Sequence, residues 1–410
     1  MPRVTMDRRH ARFLTRLTTR PVLSVFLLAL SVRLFSAGVI AIVSDGTLFL
    51  DDQQYLETIR IGGGWKPPYV DQMAAISDSA RWSKGAFFYQ PILLLLRLIG
   101  PYAFVAQLLP ALAGAVTAGA VAKIVGPYTS SKIALCAGLL VAIYPSQVLW
   151  SSLILRDAFS WMALSLVAVT LTCWDRREDL FGFGGYTVVL AGIAVYLGGI
   201  RASTLIVCCL ALLIAVLWRA TSLRIPKLAV AASLLFIVPV AVEAMGLSSG
   251  MLGTDLLSAG LSGLEDQRQA ASSGTDISSL GSGDSFAAGA LINDVRHLPA
   301  GLRLVLIDPL PHEMFDKSVL VIPFIENLIW YPMLVLALLG VPEVRRGGTD
   351  LAYVILVGVG SATSWALVEG NFGTAYRHRG EFVWAVAVFA ALGANRIFGN
   401  GKYPSVSDDS

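Results

Sequence analysis

Two adjacent carboxylates, Asp51 and Asp52, stand in the stretch "LFLDDQQYL" just beyond a long apolar run, with Tyr55 three residues after the second. Paired acids at such a place have two distinct uses. Acids favour a helix N-terminus, and "DDQQYLETIRIGG" has the composition of a short helix that begins at the pair, so a cap accounts for one of them. A carboxylate beside an apolar wall can instead take a proton from an attacking hydroxyl, a general-base contribution of about 10²–10⁴-fold. The complementary residues are cations: Arg156 in "SSLILRDAF", Arg201 in "GGIRAST", and Arg377, His378 and Arg379 in "YRHRGEF". Arginine suits bidentate contact with phosphate. Each cation also has a plainer use. Arg156 can pair with Asp157, Arg201 can snorkel to an interface, and the 377–379 cluster can rest on lipid headgroups.

Taken as a set, cations facing a carboxylate pair in apolar surroundings fit a phosphate-bearing lipid. A sugar linked to a lipid phosphate carries its own leaving group. The Arg and His side chains would stabilise the departing charge, while Asp51 or Asp52 deprotonates an acceptor hydroxyl that attacks the anomeric carbon from the opposite face. One displacement of this kind inverts configuration and needs no Ser or Cys nucleophile.

The elements that must position these residues are membrane helices. Only 14% of the 410 residues are charged and 55% are hydrophobic, against about 25% charged in soluble domains; mean hydropathy is +0.68. Apolar runs lie at 21–43, 102–125, 133–149, 153–173, 186–200, 203–218, 228–246, 319–341, 351–368 and 382–396. Most approach the ~20 residues that cross a bilayer core as a helix, and helices are the spanning structure that such runs permit. The first run is too long for a signal-peptide core and lacks a small-residue cleavage site. Arg33, near its middle, is expected to face the bundle interior, with a partner that the sequence does not name. The stretch "FFYQPILLLLRLIG" is short and holds Pro91, which suits an interfacial or re-entrant helix. The cysteines 136, 173, 208 and 209 lie in or beside apolar runs, so neither a disulfide framework nor a metal site is expected of them.

Charge sidedness fixes the arrangement. With about ten spans, and the short stretch not crossing, one side receives the Arg-rich tail 1–20, Lys123 and Lys132, Arg176 and Arg177, Arg219, Arg224 and Lys227, Arg345 and Arg346, and Arg396 with Lys402. That is the positive-inside pattern; letting the short stretch cross destroys it. The expectation is one all-α polytopic domain over 21–398 between cytoplasmic tails 1–20 and 399–410. Its outer loops are 44–101, with the acids and Lys66, and 247–318, Gly/Ser-rich and then juxtamembrane. The segment 250–290 is read as a linker or a lid. Asp51, Asp52, Arg156, Arg201 and the 377–379 cluster all fall on the outer side, where ionisable groups near the membrane mark functional sites.

This layout resembles the GT-C superfamily of membrane glycosyltransferases, in particular the bacterial branch related to protein O-mannosyltransferases and lipid A aminoarabinose transferases. Asp51-Asp52-Gln53-Gln54-Tyr55 is similar to that family's Asp-Glu-x-x-Tyr opening of the first periplasmic loop, with Asp in place of Glu. Pro91 matches its juxtamembrane Pro motif with Gln90 in place of the basic residue, and a separate Lys66-Pro67-Pro68 occurs earlier, so the donor phosphate contact is open between the two. Arg201 matches an Arg at the entry to a later span, and "YRHRGEF" resembles the basic signature of the last. The resemblance implies Asp51 as base with Asp52 supporting it, Tyr55 packing or orienting the acid helix, and Arg201, Arg377, His378 and Arg379 on the lipid phosphate, with Arg156 and Lys66 as further contacts. It implies a polyprenyl-phosphate-linked sugar donor, a lipid, glycan or protein acceptor, membrane lipids as surroundings, no nucleic acid, no metal or other cofactor, and a bacterial inner-membrane location. The sequence shows no large soluble C-terminal domain of the oligosaccharyltransferase kind, which argues against protein N-glycosylation. The alternatives are an O-antigen-type polymerase or ligase using polyprenyl diphosphate glycans, and a lipid-linked glycan transporter or flippase.

Overall fold

The computed structural model describes residues 19–62, 86–175, 180–219, 287–310, 321–369 and 372–399. Among them the regular structure is helical: α1 (Pro21–Val43), α2 (Leu50–Gly62), α3 (Ala86–Ile99), α4 (Ala103–Val125), α5 (Ser131–Ile143), α6 (Pro145–Ser151), α7 (Asp157–Trp174), α8 (Leu180–Ile200), α9 (Ala202–Arg219), α10 (Ala287–Leu306), α11 (Val321–Gly340), α12 (Thr349–Val368) and α13 (Phe372–Phe398). Six of the described helices, α1, α4, α7, α11, α12 and α13, are long and apolar enough to cross a membrane, and α5 with α6, bent by 56°, makes a seventh if the pair is one span. Helices α8 and α9 are apolar but shorter in their described parts. The protein is an all-helical polytopic membrane protein. The expected span 228–246 lies outside the described residues, as do Lys66, the segment 250–286 and both tails.

Helix α3 has 14 residues, about 21 Å at 1.5 Å per residue, which is too short for a hydrocarbon core of about 30 Å. Phe88, Ile92 and Leu96 recur every fourth residue and are buried, whereas Leu94, Leu98 and Ile99 are exposed. It lies against the bundle on one face, as its length and Pro91 foretold.

The run 133–149 is not one straight helix. Pro145 has no N–H to give Val141, and the chain turns at Tyr144, which is extended at φ −62°, ψ 121°. The freed polar groups are satisfied by two other helices. Arg33 of α1 donates through Nη2 to the Val141 carbonyl at 3.3 Å, through Nη1 to that of Ala142 at 2.9 Å and through Nε to Ser151 Oγ at 2.8 Å. Glu326 of α11 accepts the Ser146 N–H at 2.7 Å and its hydroxyl at 2.9 Å. Backbone groups away from water must find partners inside the protein, and here a buried guanidinium takes the carbonyls while a buried carboxylate takes the amide. The partner of Arg33 is therefore the broken helix and not an acid.

Two features aim the chain at the site. After α1 a turn with Asp45 at φ 53° and Gly46 at φ 90° leads into α2. A Cβ on Gly46 would stand 2.2 Å from Ala103 Cβ, and Gln107 Nε2 donates to the Gly46 carbonyl at 2.9 Å, so the turn is seated on α4. At the far side α11 and α13 cross with backbones in contact: a Cβ on Gly393 would lie 1.9 Å from the Leu336 carbonyl oxygen. Small residues at helix crossings permit such approach.

Candidate active site

Helix α2 starts at Leu50, so Asp52 is its third residue and Phe49 its N-cap; Gln53 N–H donates to the Phe49 carbonyl at 3.2 Å. The Asp52 carboxylate reaches back and accepts the N–H of Leu48 at 2.9 Å and of Phe49 at 2.8 Å. This is the acidic half of a capping box. Asp52 is fully buried. Burial pushes its pKa above the usual carboxylate value, and the N–H bonds from Leu48, Phe49 and Gln53 pull the other way. Asp51, one residue earlier, points elsewhere and is 58% exposed. Asp52 thus takes the capping use, and Asp51 stays open to solvent.

Asp51 Oδ2 accepts from Arg377 Nη1 at 2.5 Å. The other edge of Arg377 lies on Asp157, with Nε and Nη2 donating to Oδ2 at 2.9 and 2.7 Å. Asp157, the first residue of α7, gives its second oxygen to Arg201 Nη2 at 3.0 Å, and Arg201 Nη1 donates to Glu381 at 3.2 Å. Glu381 also accepts from Thr204 Oγ1 at 2.9 Å and Trp365 Nε1 at 3.0 Å. The result is one chain of alternating charge, Asp51–Arg377–Asp157–Arg201–Glu381, drawn from α2, α7, α13 and the α8–α9 junction. Asp157 and Glu381 are buried, both arginines are 12% exposed, and Asp51 is the open end.

Arg156 flanks this chain. Its guanidinium lies 5.4 Å from the Tyr55 ring centroid, and Nη1 donates to the Ile200 carbonyl at 3.4 Å. Among the described residues no carboxylate pairs with it, and its buried Nε has no hydrogen-bond partner. Asp157, its neighbour in sequence, is committed to Arg201 and Arg377. Tyr55 packs edge-on to Phe88 with centroids 5.3 Å apart, so it joins α2 to α3. His378 bonds through Nδ1 to Glu369 and stacks on Trp365 at 3.6 Å; the Arg201 guanidinium lies 5.2 Å from the same ring.

Arg379 does not join the cluster. Two residues from Arg377 on a helix, it faces about 200° away. It is fully buried and donates to the carbonyls of Val305 at 2.8 Å and Asp308 at 2.6 Å and to Asn327 Oδ1 at 2.7 Å. It ties α13 to the end of α10 and to α11. Lys66 lies outside the described residues. Sequence reasoning missed Glu381, Trp365 and Glu369. Glu381 stands four residues after Arg377, so the pair shares a helix face, a signal hidden because "YRHRGEF" was read for its cations. No group of three or more His, Cys, Asp or Glu side chains that could hold a metal ion occurs among the described residues.

No family model matches this sequence, and no curated protein matches it. Among solved structures it is similar to the archaeal oligosaccharyltransferase AglB from Archaeoglobus fulgidus, determined in complex with an inhibitory peptide and a dolichol-phosphate. The identity is 14% and the TM-score 0.53, over 93% of this chain and 51% of that one. The chain spans about half the length of that protein, and at this identity the likeness is one of fold. The chain shares that structure's polytopic helical fold.

Proposed function

We propose that this protein is a membrane glycosyltransferase that moves a sugar from a polyprenyl-phosphate donor to a hydroxyl acceptor on the outer side of the membrane, by a single inverting displacement. The observation that carries this reading is Asp51: a solvent-open carboxylate held at the mouth of an arginine cluster, on a fold shared with a transferase solved with a lipid phosphate. Asp51 is the base. The outer edge of Arg377, together with Arg156, takes the donor phosphate and stabilises the charge it gains as the glycosidic bond breaks. Arg201 positions: its charge is shared by two buried carboxylates, and it fixes Asp157 and hence Arg377. His378 and Trp365 line the same end and serve the sugar or the phosphate. Asp52 and Arg379 hold the helices that carry the site. The location is a bacterial inner membrane with both termini cytoplasmic, and the acceptor is a lipid, glycan or protein.

The test is release of the lipid carrier by purified protein in lipid nanodiscs: polyprenyl phosphate from polyprenyl monophosphate sugars and, separately, polyprenyl diphosphate from polyprenyl diphosphate oligosaccharides. Wild type is expected to turn over the monophosphate, and Asp51→Asn to lose about 10²–10⁴-fold, the worth of a general base. Turnover of the diphosphate alone would replace this reading with a polymerase or ligase. Turnover of neither would leave a transporter or a missing acceptor, to be distinguished by supplying acceptor-bearing membrane extract.

A further inference from the structure

The proposed base and the proposed phosphate ligand are bonded to each other: Asp51 Oδ2 sits on Arg377 Nη1 at 2.5 Å. An oxygen already accepting a charge-assisted hydrogen bond is less able to accept a proton, and a guanidinium edge already on a carboxylate has no free fork for phosphate. The two halves of the pair are not equally held. Arg377 is anchored on its inner side by two bonds to Asp157, which is 1% exposed, and has 12% exposure itself. Asp51 is 58% exposed and among the described residues carries this one ion pair. An exposed pair contributes only about 0.2–1 kcal/mol. Arg156, within the same cluster and unpaired with any carboxylate among the described residues, adds a cation that an incoming anion can share.

We infer that Asp51 is a stand-in for the donor phosphate: it occupies the Arg377 edge at rest, and the phosphate of a polyprenyl-phosphate ligand displaces it, which frees the carboxylate beside the seated donor. One anion is exchanged for another, so the charge balance around Asp157 and Arg201 is kept. Arg377 stays on Asp157 throughout, and the moving part is the Asp51 side chain alone. The base is thereby released only when a donor is present, so acceptor activation follows donor binding in order. This inference rests on the transferase reading.

The experiment is equilibrium binding of polyprenyl monophosphate, without sugar, to nanodisc-held wild type, Asp51→Asn and Asp51→Glu. Removing the competing charge should tighten binding in Asp51→Asn by up to about fivefold, the equivalent of about 1 kcal/mol. Asp51→Glu keeps a carboxylate within reach and should bind nearer wild type than Asp51→Asn does. Asp51 is exposed, so neither substitution threatens folding, and matching thermal midpoints would verify it. Equal or weaker binding by Asp51→Asn overturns the exchange while leaving Asp51 free to be the base in the turnover assay. A wild type that binds no polyprenyl phosphate overturns both this inference and the transferase.

Discussion

Replacing Asp52 by asparagine leaves one acceptor oxygen where Leu48 and Phe49 now find two, and turns an amide NH₂ toward a backbone N–H. The expected cost is about 1–2 kcal/mol, the range for a lost helix cap or an unsatisfied buried donor. Asp51→Asn breaks one exposed pair and should leave the thermal midpoint close to wild type. Per folded molecule, turnover should fall far less in Asp52→Asn than in Asp51→Asn; the opposite order would make Asp52 the chemical group. Sequence alone offered both roles for both acids, because a cap and a base have the same composition. What separates them is which oxygen faces a backbone amide and which faces an arginine from another helix. The same distinction divides Arg377 from Arg379. Two residues apart in a basic motif, one reaches Asp157 and the other the carbonyls of Val305 and Asp308. Removing Arg377 would strip a buried carboxylate of one partner, a costly change in itself, so Asp51 is the cleaner residue for probing chemistry.

At the scale of the helices, the break between α5 and α6 is the feature on which the site is mounted. Helix α6 leads to the turn before Asp157; Glu326 holds its start at Ser146, and Arg33 holds the end of α5 and Ser151 at the end of α6. Tyr376, one residue before Arg377, donates its hydroxyl to Glu326 at 2.8 Å. The break and the start of α13 are thus joined through one carboxylate. Arg33→Met should leave the Val141 and Ala142 carbonyls without partners in a region closed to water. At about 1–3 kcal/mol for each unsatisfied group, a clearly lowered thermal midpoint and a smaller folded fraction in detergent are expected. A variant as stable as wild type would mean that α5 and α6 hold their angle without the guanidinium. The sequence marked Pro145 and Arg33 separately. Their connection depends on the packing of α1 against α5 and α6, which no local pattern encodes.

Across the whole molecule, the legible part was the part built from local composition. The apolar runs and the short amphipathic α3 follow from hydropathy and length, and the six helices long and apolar enough to cross a membrane fall on those runs. The ion-pair chain does not, since Asp51 and Arg377 are 326 residues apart and Arg201 and Glu381 are 180 apart. The other end of the bundle is organised by the same kind of long-range polar contact. Tyr128 and Thr172 each donate to Asp350 at 2.7 Å, and Thr349 N–H donates to Asp175 at 2.6 Å, which clamps the ends of α4, α7 and α12. The two ends differ in charge. Lys123, Lys132, Arg219, Arg345 and Arg396 gather at the clamped end, and the candidate site lies at the opposite one. The positive-inside rule predicts that the site faces outward, as the proposed transfer requires. Single cysteines at the exposed Gln54 and Lys132, in a chain whose four native cysteines are replaced by serine or alanine, check this in right-side-out vesicles. A membrane-impermeant maleimide should label Gln54→Cys before lysis and Lys132→Cys only after it. Labelling in the reverse order would turn the bundle over and place Asp51 on the cytoplasmic side, where the proposed transferase would meet a different set of substrates.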